Sequence, residues 1–525
     1  MRGQTARNVA ERARVLRSAG VVAAITMISR VAGYARDVVF TYFFGTGLYA
    51  DAFVAAFRLP NILRRLVGEG NVSAAFVPVF EHESVQRPEE ELWRLADSFH
   101  AAIAAVAGLL TAAGMLLAPF LVRYVLIPGN PDAWQLTRRL VWMTFPYLIF
   151  IAAASALMAI LNARDRFAAA AFSPVLLNLT MIGSAAFMLR AEAPILIWAG
   201  AAVVGGFLQW ASLVPHAGRL GMRFWPRAGL ADPALRRIGR LMLPGIVGVG
   251  VTQINTLVGQ LLASYLVLGS ISSLFLAGRV TELPLGVFAI AIATVVLPLM
   301  SRQAAAGDRS EMIDTLGFAL RHTAFITLPA TAGLLVLRLE IVSVLFERGA
   351  FGPVSATRTA SALAGYSLGL IAFAGVRVVA PGFFALRDTR TPVLIAAVAM
   401  VANLIGCLAL MPLLGHTGIA IAGSLAAFVN AALLIGGLRR KVGRIGGWRL
   451  VASFARLGGA AAVMAWVVWG VREGWLSSFA VGNPARIAAL AATVALGALT
   501  YLAAAAILRA PELGELRSWR SRVAP

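Results

Sequence analysis

Apolar stretches long enough to cross a lipid bilayer recur from one end of this chain to the other, and they leave it little choice of fold. In hydrocarbon a backbone N–H or C=O has no water to bond, so each such stretch must satisfy itself as a helix. About fourteen of them can be counted, centred near residues 33, 63, 112, 149, 178, 203, 254, 286, 331, 370, 402, 427, 460 and 496. With 59% of 525 residues hydrophobic and 13% charged, against about a quarter charged in soluble proteins, no soluble domain is left over. The expected fold is an all-α polytopic membrane protein of about fourteen transmembrane helices.

The formal charge of +22 invites a nucleic-acid reading, but the placement of the basic residues follows membrane topology instead. With a cytoplasmic N-terminus, the cytoplasmic connections carry Arg219, Arg223, Arg227, Arg236, Arg237 and Arg240, then Arg302 and Arg309, then Arg439, Arg440, Lys441, Arg444 and Arg449. The C-terminal tail adds Arg509, Arg517, Arg520 and Arg522. The opposite connections, such as GTGLYA at 45–50 and PGNPDAW at 128–134, carry no Lys or Arg. This is the positive-inside pattern of a multi-pass inner-membrane protein with both termini cytoplasmic, and nucleic acid is not an expected partner. Arg2, Arg7, Arg12, Arg14 and Arg17 precede the first apolar segment as in a secretory signal, yet no small-residue cleavage site follows and the segment is expected to be retained. Cys407 is the single cysteine, so neither a disulfide framework nor a thiolate metal site is expected.

Weak internal similarity organises the chain. FRLP at 57–60 resembles TELP at 281–284, and ARDRF at 163–167 resembles LRDTR at 386–390, at nearly one offset. A shift of that size lays six helices on the next six without inverting them, a transporter plan whose substrate site lies where the lobes meet. The expected organisation is a six-helix lobe over 1–216, a cytoplasmic linker with an interfacial helix over 217–240, and a second six-helix lobe over 241–440. Two further helices and a basic tail occupy 441–525.

Against this apolar background the region from Ser29 to Phe80 is anomalous. It places Arg30, Arg36, Asp37, Asp51, Arg58, Arg64, Arg65 and Glu69 in spans where one charge costs roughly 2.5–3.5 kcal/mol even on the lenient insertion scale. A polar cavity that receives an anion would account for them, since guanidinium groups bond phosphate and carboxylate oxygens bidentately and stay charged at any physiological pH. Ion pairing with Asp37, Asp51 or Glu69 is the competing role for Arg30, Arg36 and Arg64. Arg58 and Arg65 fit snorkelling to an interface. Gly33, Gly45, Gly47 and Pro60 supply bends or close packing, and topology accounts for Arg387, Asp388 and Arg390.

Enzymatic readings fail on specifics. His82, His100, His216, His322 and His416 are scattered over unrelated segments, and there is no P-loop. The glycines of PGIVGVG at 244–250 follow no strand and fit helix packing. No cofactor is expected, and transport energy must come from gradients, with any coupling cation unidentified.

The motifs SRVAGYARD at 29–37, GTGLYADAFVAAFRLPNILRRLVGEGNVSAAFVPVF at 45–80, FPYLIF at 145–150, AILNARDRFAAAAFSPVLLNL at 159–179, LAGRVTELPLGV at 276–287 and APGFFALRDTRTP at 380–392 together resemble the MurJ (MviN) family of lipid II flippases. That family lies within the multidrug/oligosaccharidyl-lipid/polysaccharide exporter superfamily. The resemblance covers essentially the whole chain, and its first two motifs are the specific ones. It implies outward movement of the lipid-linked peptidoglycan precursor by alternating access, with membrane lipids and cell-wall synthesis proteins as further partners. It places the substrate-binding arginines on Arg30, Arg36, Arg64 and Arg279, and supporting or gating acids on Asp37, Asp51, Glu69 and Glu282. Where the family often has an acid immediately before the last arginine this chain has Gly278, so a tether for Arg279 has to come from elsewhere or is absent. An exporter of other polyprenyl-linked oligosaccharides or of drugs is the alternative within the same architecture. A non-transporting scaffold would have no use for intramembrane arginines.

Overall fold

The computed structural model describes residues 2–67, 70–225, 232–286, 290–480 and 483–515, with the side chains of 2–19 left aside. All regular structure among them is helical, and the chain divides into two compact units, 1–265 and 266–525. Glu69, Arg227, Arg517, Arg520 and Arg522 lie outside the described residues.

The first unit contains α1 (Arg2–Phe44), α2 (Leu48–Val67), α3 (Asn71–Gln86), α4 (Glu89–Leu116), α5 (Ala118–Leu121), α6 (Trp134–Thr144), α7 (Tyr147–Ala163), α8 (Phe167–Gly183), α9 (Ala185–Met188), α10 (Pro194–Gly218) and α11 (Pro233–Ala263). Its core is aromatic and small-residue in alternation. Phe76 stacks on Phe99 with centroids 4.4 Å apart, while Gly205 and Gly206 let α10 close onto Leu177 and Tyr147 where a Cβ would collide. Such contacts suit membrane helices, which associate by close van der Waals packing because lipid supplies no hydrophobic drive between them. α11 packs on α2 and α3, and Arg236, Arg237 and Arg240 lie on its first turns.

The second unit contains α12 (Ser270–Pro284), α13 (Ile290–Ala305), α14 (Arg309–Val336), α15 (Arg338–Phe346), α16 (Pro353–Leu368), α17 (Leu370–Ala385), α18 (Arg390–Val442), α19 (Gly447–Gly474) and α20 (Pro484–Ile507). α18 is two helices. Gly415, at φ 57° and ψ −137°, reverses the chain, and a Cβ on Gly406 would stand 3.1 Å from Ala422. Along one straight helix those residues would be about 24 Å apart. α19 and α20 pair with each other and dock on α14, where the Tyr501 hydroxyl donates to the Phe325 carbonyl at 2.8 Å.

Eight helices among the described residues are long and apolar enough to cross a membrane, or ten if each of two bent pairs is one span. α18, with its reversal, counts once there. α1 and α2 are absent from that set. They are the helices carrying Arg30, Arg36, Asp37, Asp51, Arg58, Arg64 and Arg65.

Both copies of the second sequence motif end a helix in the same way. Asp165 and Arg387 take left-handed φ values of 56° and 57°, and the next N–H reaches back five residues, from Arg166 to Leu161 and from Asp388 to Phe383. By this geometry Asp165 matches Arg387, one position off the register of the letters. The same ending recurs at Arg509, so it marks a helix terminus of common form.

Candidate functional site

In α1 the spacing of Ser29, Gly33 and Arg36 puts all three on one face, and that face meets α8. Asn178 of α8 fills the contact: its amide nitrogen donates to the Ser29 carbonyl at 3.1 Å and its oxygen accepts from an Arg36 guanidinium nitrogen at 3.2 Å. The other edge of the guanidinium bonds Asp37, at 2.7 and 3.1 Å to one carboxylate oxygen. Asp37 is 4% exposed, so the charge it brings into the protein is compensated where it sits. Arg30 is different: it is exposed and has no hydrogen-bond or ion-pair partner among the described residues.

α1 ends at Gly45, whose φ of 56° breaks the helix, and α2 follows with Asp51, 2% exposed, in its first turn. A carboxylate there is favoured by the unsatisfied N–H groups of the helix start. Arg64 and Arg65 occupy the last turn of α2, where the helix dipole favours cations. Asn61 orients Arg64 through bonds of 2.9 and 3.2 Å. Asn71 then ties this end down, donating to Leu66 in α2 and to Met242 in α11, an approach that needs the bare Gly245 opposite it. Arg58 does not snorkel. Its Nε donates at 2.7 Å to buried Gln260 of α11, which donates onward to the Leu126 carbonyl, because a buried amide offers the acceptor a lipid interface would otherwise supply.

In the second unit Arg279 lies over the Phe275 ring at 5.6 Å and pairs with Glu282 one turn on, at 3.6 Å. Their side chains are 34% and 55% exposed, so this is a loose pair. Glu282 is thus a tether in place of the acid missing at 278, and a Cβ built on Gly278 meets nothing within 4 Å.

The structure brings Arg36 and Asp37 together, and Arg279 and Glu282. It leaves Arg30 unpaired among the described residues and gives Arg64 an amide oxygen from within its own helix. Asn178, Asn61, Asn71 and Gln260 were not anticipated from sequence. For Asn178, Asn71 and Gln260 a lone amide is the only signal, and it does not name a partner more than a hundred residues away. A cavity of about 400 Å³ in the first unit, lined by Arg87, Glu89, Trp93 and Arg164 among others, contains none of the expected site residues. Nearby, Arg87 holds Asp232 at the start of α11 through two bonds of 2.8 and 3.1 Å and keeps that carboxyl below its usual range. No group of three or more His, Cys, Asp or Glu among the described residues is placed to hold a metal ion.

Comparison with known proteins gives a consistent result. The family described as lipid II flippase MurJ matches residues 40–490. A probable lipid II flippase MurJ of Vibrio cholerae serotype O1 is 36% identical over 93% of this chain and 95% of its own length. Among solved structures, a lipid II flippase MurJ in an inward closed conformation superposes with a TM-score of 0.77 at 26% identity, covering 93% of this chain and 98% of that one. An inward-facing multidrug resistance MATE family transporter of the MOP superfamily reaches a TM-score of 0.67 at 13% identity over 80% of this chain and 97% of its own, a likeness of fold alone. A family match over most of the chain, a relative at this identity and a superposable fold agree, and the chain belongs to the lipid II flippase MurJ family.

Proposed function

We propose that this protein carries lipid II, the undecaprenyl-diphosphate-linked peptidoglycan precursor, from the inner to the outer leaflet of the cytoplasmic membrane by alternating access. The observation that carries the reading is the state of the arginines in α1: Arg36 is locked by Asp37 and Asn178, while Arg30, six residues earlier, has no partner among the described residues. A cation left uncompensated in a membrane helix is costly, and an anionic head group removes that cost. Arg30, Arg36, Arg64 and Arg279 bind the diphosphate and the acidic peptide of the head group. Asp37, Asp51, Glu69 and Glu282 hold those guanidinium groups or exchange them between states, since a carboxylate facing the diphosphate would repel it.

The protein is a transporter and not an enzyme: it makes and breaks no covalent bond and takes no cofactor. Both termini face the cytoplasm, a placement supported by the basic residues at 219–240, 302–309 and 439–449. α19 and α20 carry the groove for the polyprenyl tail. Membrane lipids and cell-wall synthesis proteins are the remaining partners.

Membrane potential drives the cycle. One elementary charge crossing the field is worth about 2.3 kcal/mol per 100 mV, so an inside-negative potential moves the diphosphate outward. The unloaded, net positive binding site is drawn back toward the cytoplasmic side, and bound anion cancels that bias. An ion gradient is secondary. The test has two arms: depletion of the protein, followed by an assay for lipid II exposed on the outer leaflet, and collapse of the potential with ion and proton gradients kept. Exposure should fall in both. Exposure unchanged on depletion overturns the flippase reading, and exposure unchanged in the second arm overturns the energy source.

A further inference from the structure

We propose that Arg377, in the middle of α17, is a further anion-binding residue of the second unit, acting beside Arg279 on the diphosphate of the substrate. The inference rests on the flippase reading and adds a residue to it.

Arg377 lies half-buried in a helix that with α16 forms one of the bent membrane-crossing pairs. Its guanidinium makes one long hydrogen bond among the described residues, 3.5 Å to the Leu285 carbonyl. Leu285 follows directly on Pro284 at the end of α12 and packs against Leu370 and Ala374 of α17, which brings Arg377 to the turn after Glu282. Glu282 acts on Arg377 electrostatically but stands outside ion-pair distance, and its own ion-pair contact, with Arg279, is 3.6 Å. The segment 287–289, Val-Phe-Ala, contains no acid.

Arg377 therefore brings a positive charge that no ion pair among the described residues compensates. A neutral carbonyl at 3.5 Å does not compensate a guanidinium there. The Arg36–Asp37–Asn178 arrangement shows what compensation looks like in this same chain: bonds of 2.7–3.2 Å and a carboxylate 4% exposed. Arg377 has the charge without the partner. A diphosphate, with several anionic oxygens, is the chemistry that a guanidinium without an ion-pair partner accepts, and the bidentate fork of arginine fits it.

A merely structural Arg377 would cap the Leu285 carbonyl, and a substitution can separate the two roles. Arg377→Gln keeps an N–H donor for Leu285 and removes the charge; Arg377→Lys keeps the charge and loses the fork. Purified full-length parent and variants, reconstituted in lipid nanodiscs, are titrated with lipid II, and thermal unfolding is recorded on the same samples. The expected result is binding weakened at least about tenfold in Arg377→Gln, with partial recovery in Arg377→Lys and all three melting together. Binding by Arg377→Gln equal to the parent overturns the proposal, as does a loss of binding that appears only together with a lowered melting temperature. A parent that does not bind lipid II overturns the flippase reading itself, an outcome separate from any difference between variants.

Discussion

Arg36 in α1 and Arg279 in α12 are built in opposite ways. Arg36 is bonded on two edges by groups that are nearly sealed from solvent, Asp37 and Asn178. Arg279 rests on an aromatic ring and a half-exposed carboxylate one turn away, and Arg377 of α17 reaches the Leu285 carbonyl just past the end of the same helix. The first arrangement fixes a charge at one place in the helix packing. The second holds its charge loosely, at a partly exposed place. The lesson is that an arginine's value to stability and its value to binding are separable, and that burial of its partner sorts one from the other.

The largest effect that would break this comparison belongs to Arg36. Arg36→Ala takes the guanidinium away from the buried Asp37 carboxylate, a change that typically costs 3–5 kcal/mol, so both the melting temperature and lipid II flipping should collapse while membrane insertion persists. Arg36→Lys should recover part of each, since it keeps the charge and loses the fork. Normal growth supported by the Ala variant would show that the pair contributes neither.

Arg279→Ala should abolish flipping yet move stability by less than about 1 kcal/mol, because a half-exposed i,i+3 pair contributes little. Flipping assays beside unfolding curves test this split, and a large stability loss would erase the distinction between the two regions. Asn178→Leu should sit between them. It removes two hydrogen bonds and orphans one edge of a guanidinium, a loss of about 1–3 kcal/mol, with flipping reduced rather than abolished.

The lower end of the burial scale is tested by Asp388, which Lys441 and Thr391 hold at 2.6–3.0 Å at the start of α18. Those contacts place its carboxyl well below the usual carboxylate range, led by Lys441. A carboxyl depressed in the folded state contributes stability that is present above its unfolded value near 4 and lost as pH falls below it. Melting temperature measured from pH 7 downward should therefore be unaffected by this pair until about pH 4. Lys441→Met should cost under about 1 kcal/mol at pH 7, given the exposure of the lysine. The smallest effect is expected from Gly278→Asp. There is room for the side chain, a helical Gly is replaced, and an acid beside Arg279 makes that arginine more like Arg36. Stability should rise by roughly 0.5 kcal/mol and lipid II binding should weaken a few-fold, measured by the same titration.

Much of the fold was legible because lipid imposes a length and an apolarity on every spanning helix, and those are written residue by residue. The helices bearing the arginines were legible for the contrary reason: they depart from that rule, and only a function or a compensating partner keeps such charges in place. Neighbours in sequence, such as Arg36 with Asp37 or Arg279 with Glu282, could be paired by helix spacing alone. Asn178 and Gln260 could not, since each reads as one amide in an apolar run until packing sets it against an arginine far away in the chain.

The snorkelling expected of Arg58 went the same way, because whether a long side chain meets lipid or a buried amide depends on which helix lies beside it. The sequence by itself determined that the chain is helical, membrane-spanning and armed with arginine, because local composition and short spacing carry that information. Only the tertiary structure decided which arginines are locked and which stand ready, since compensation of a buried charge depends on groups brought together from distant segments.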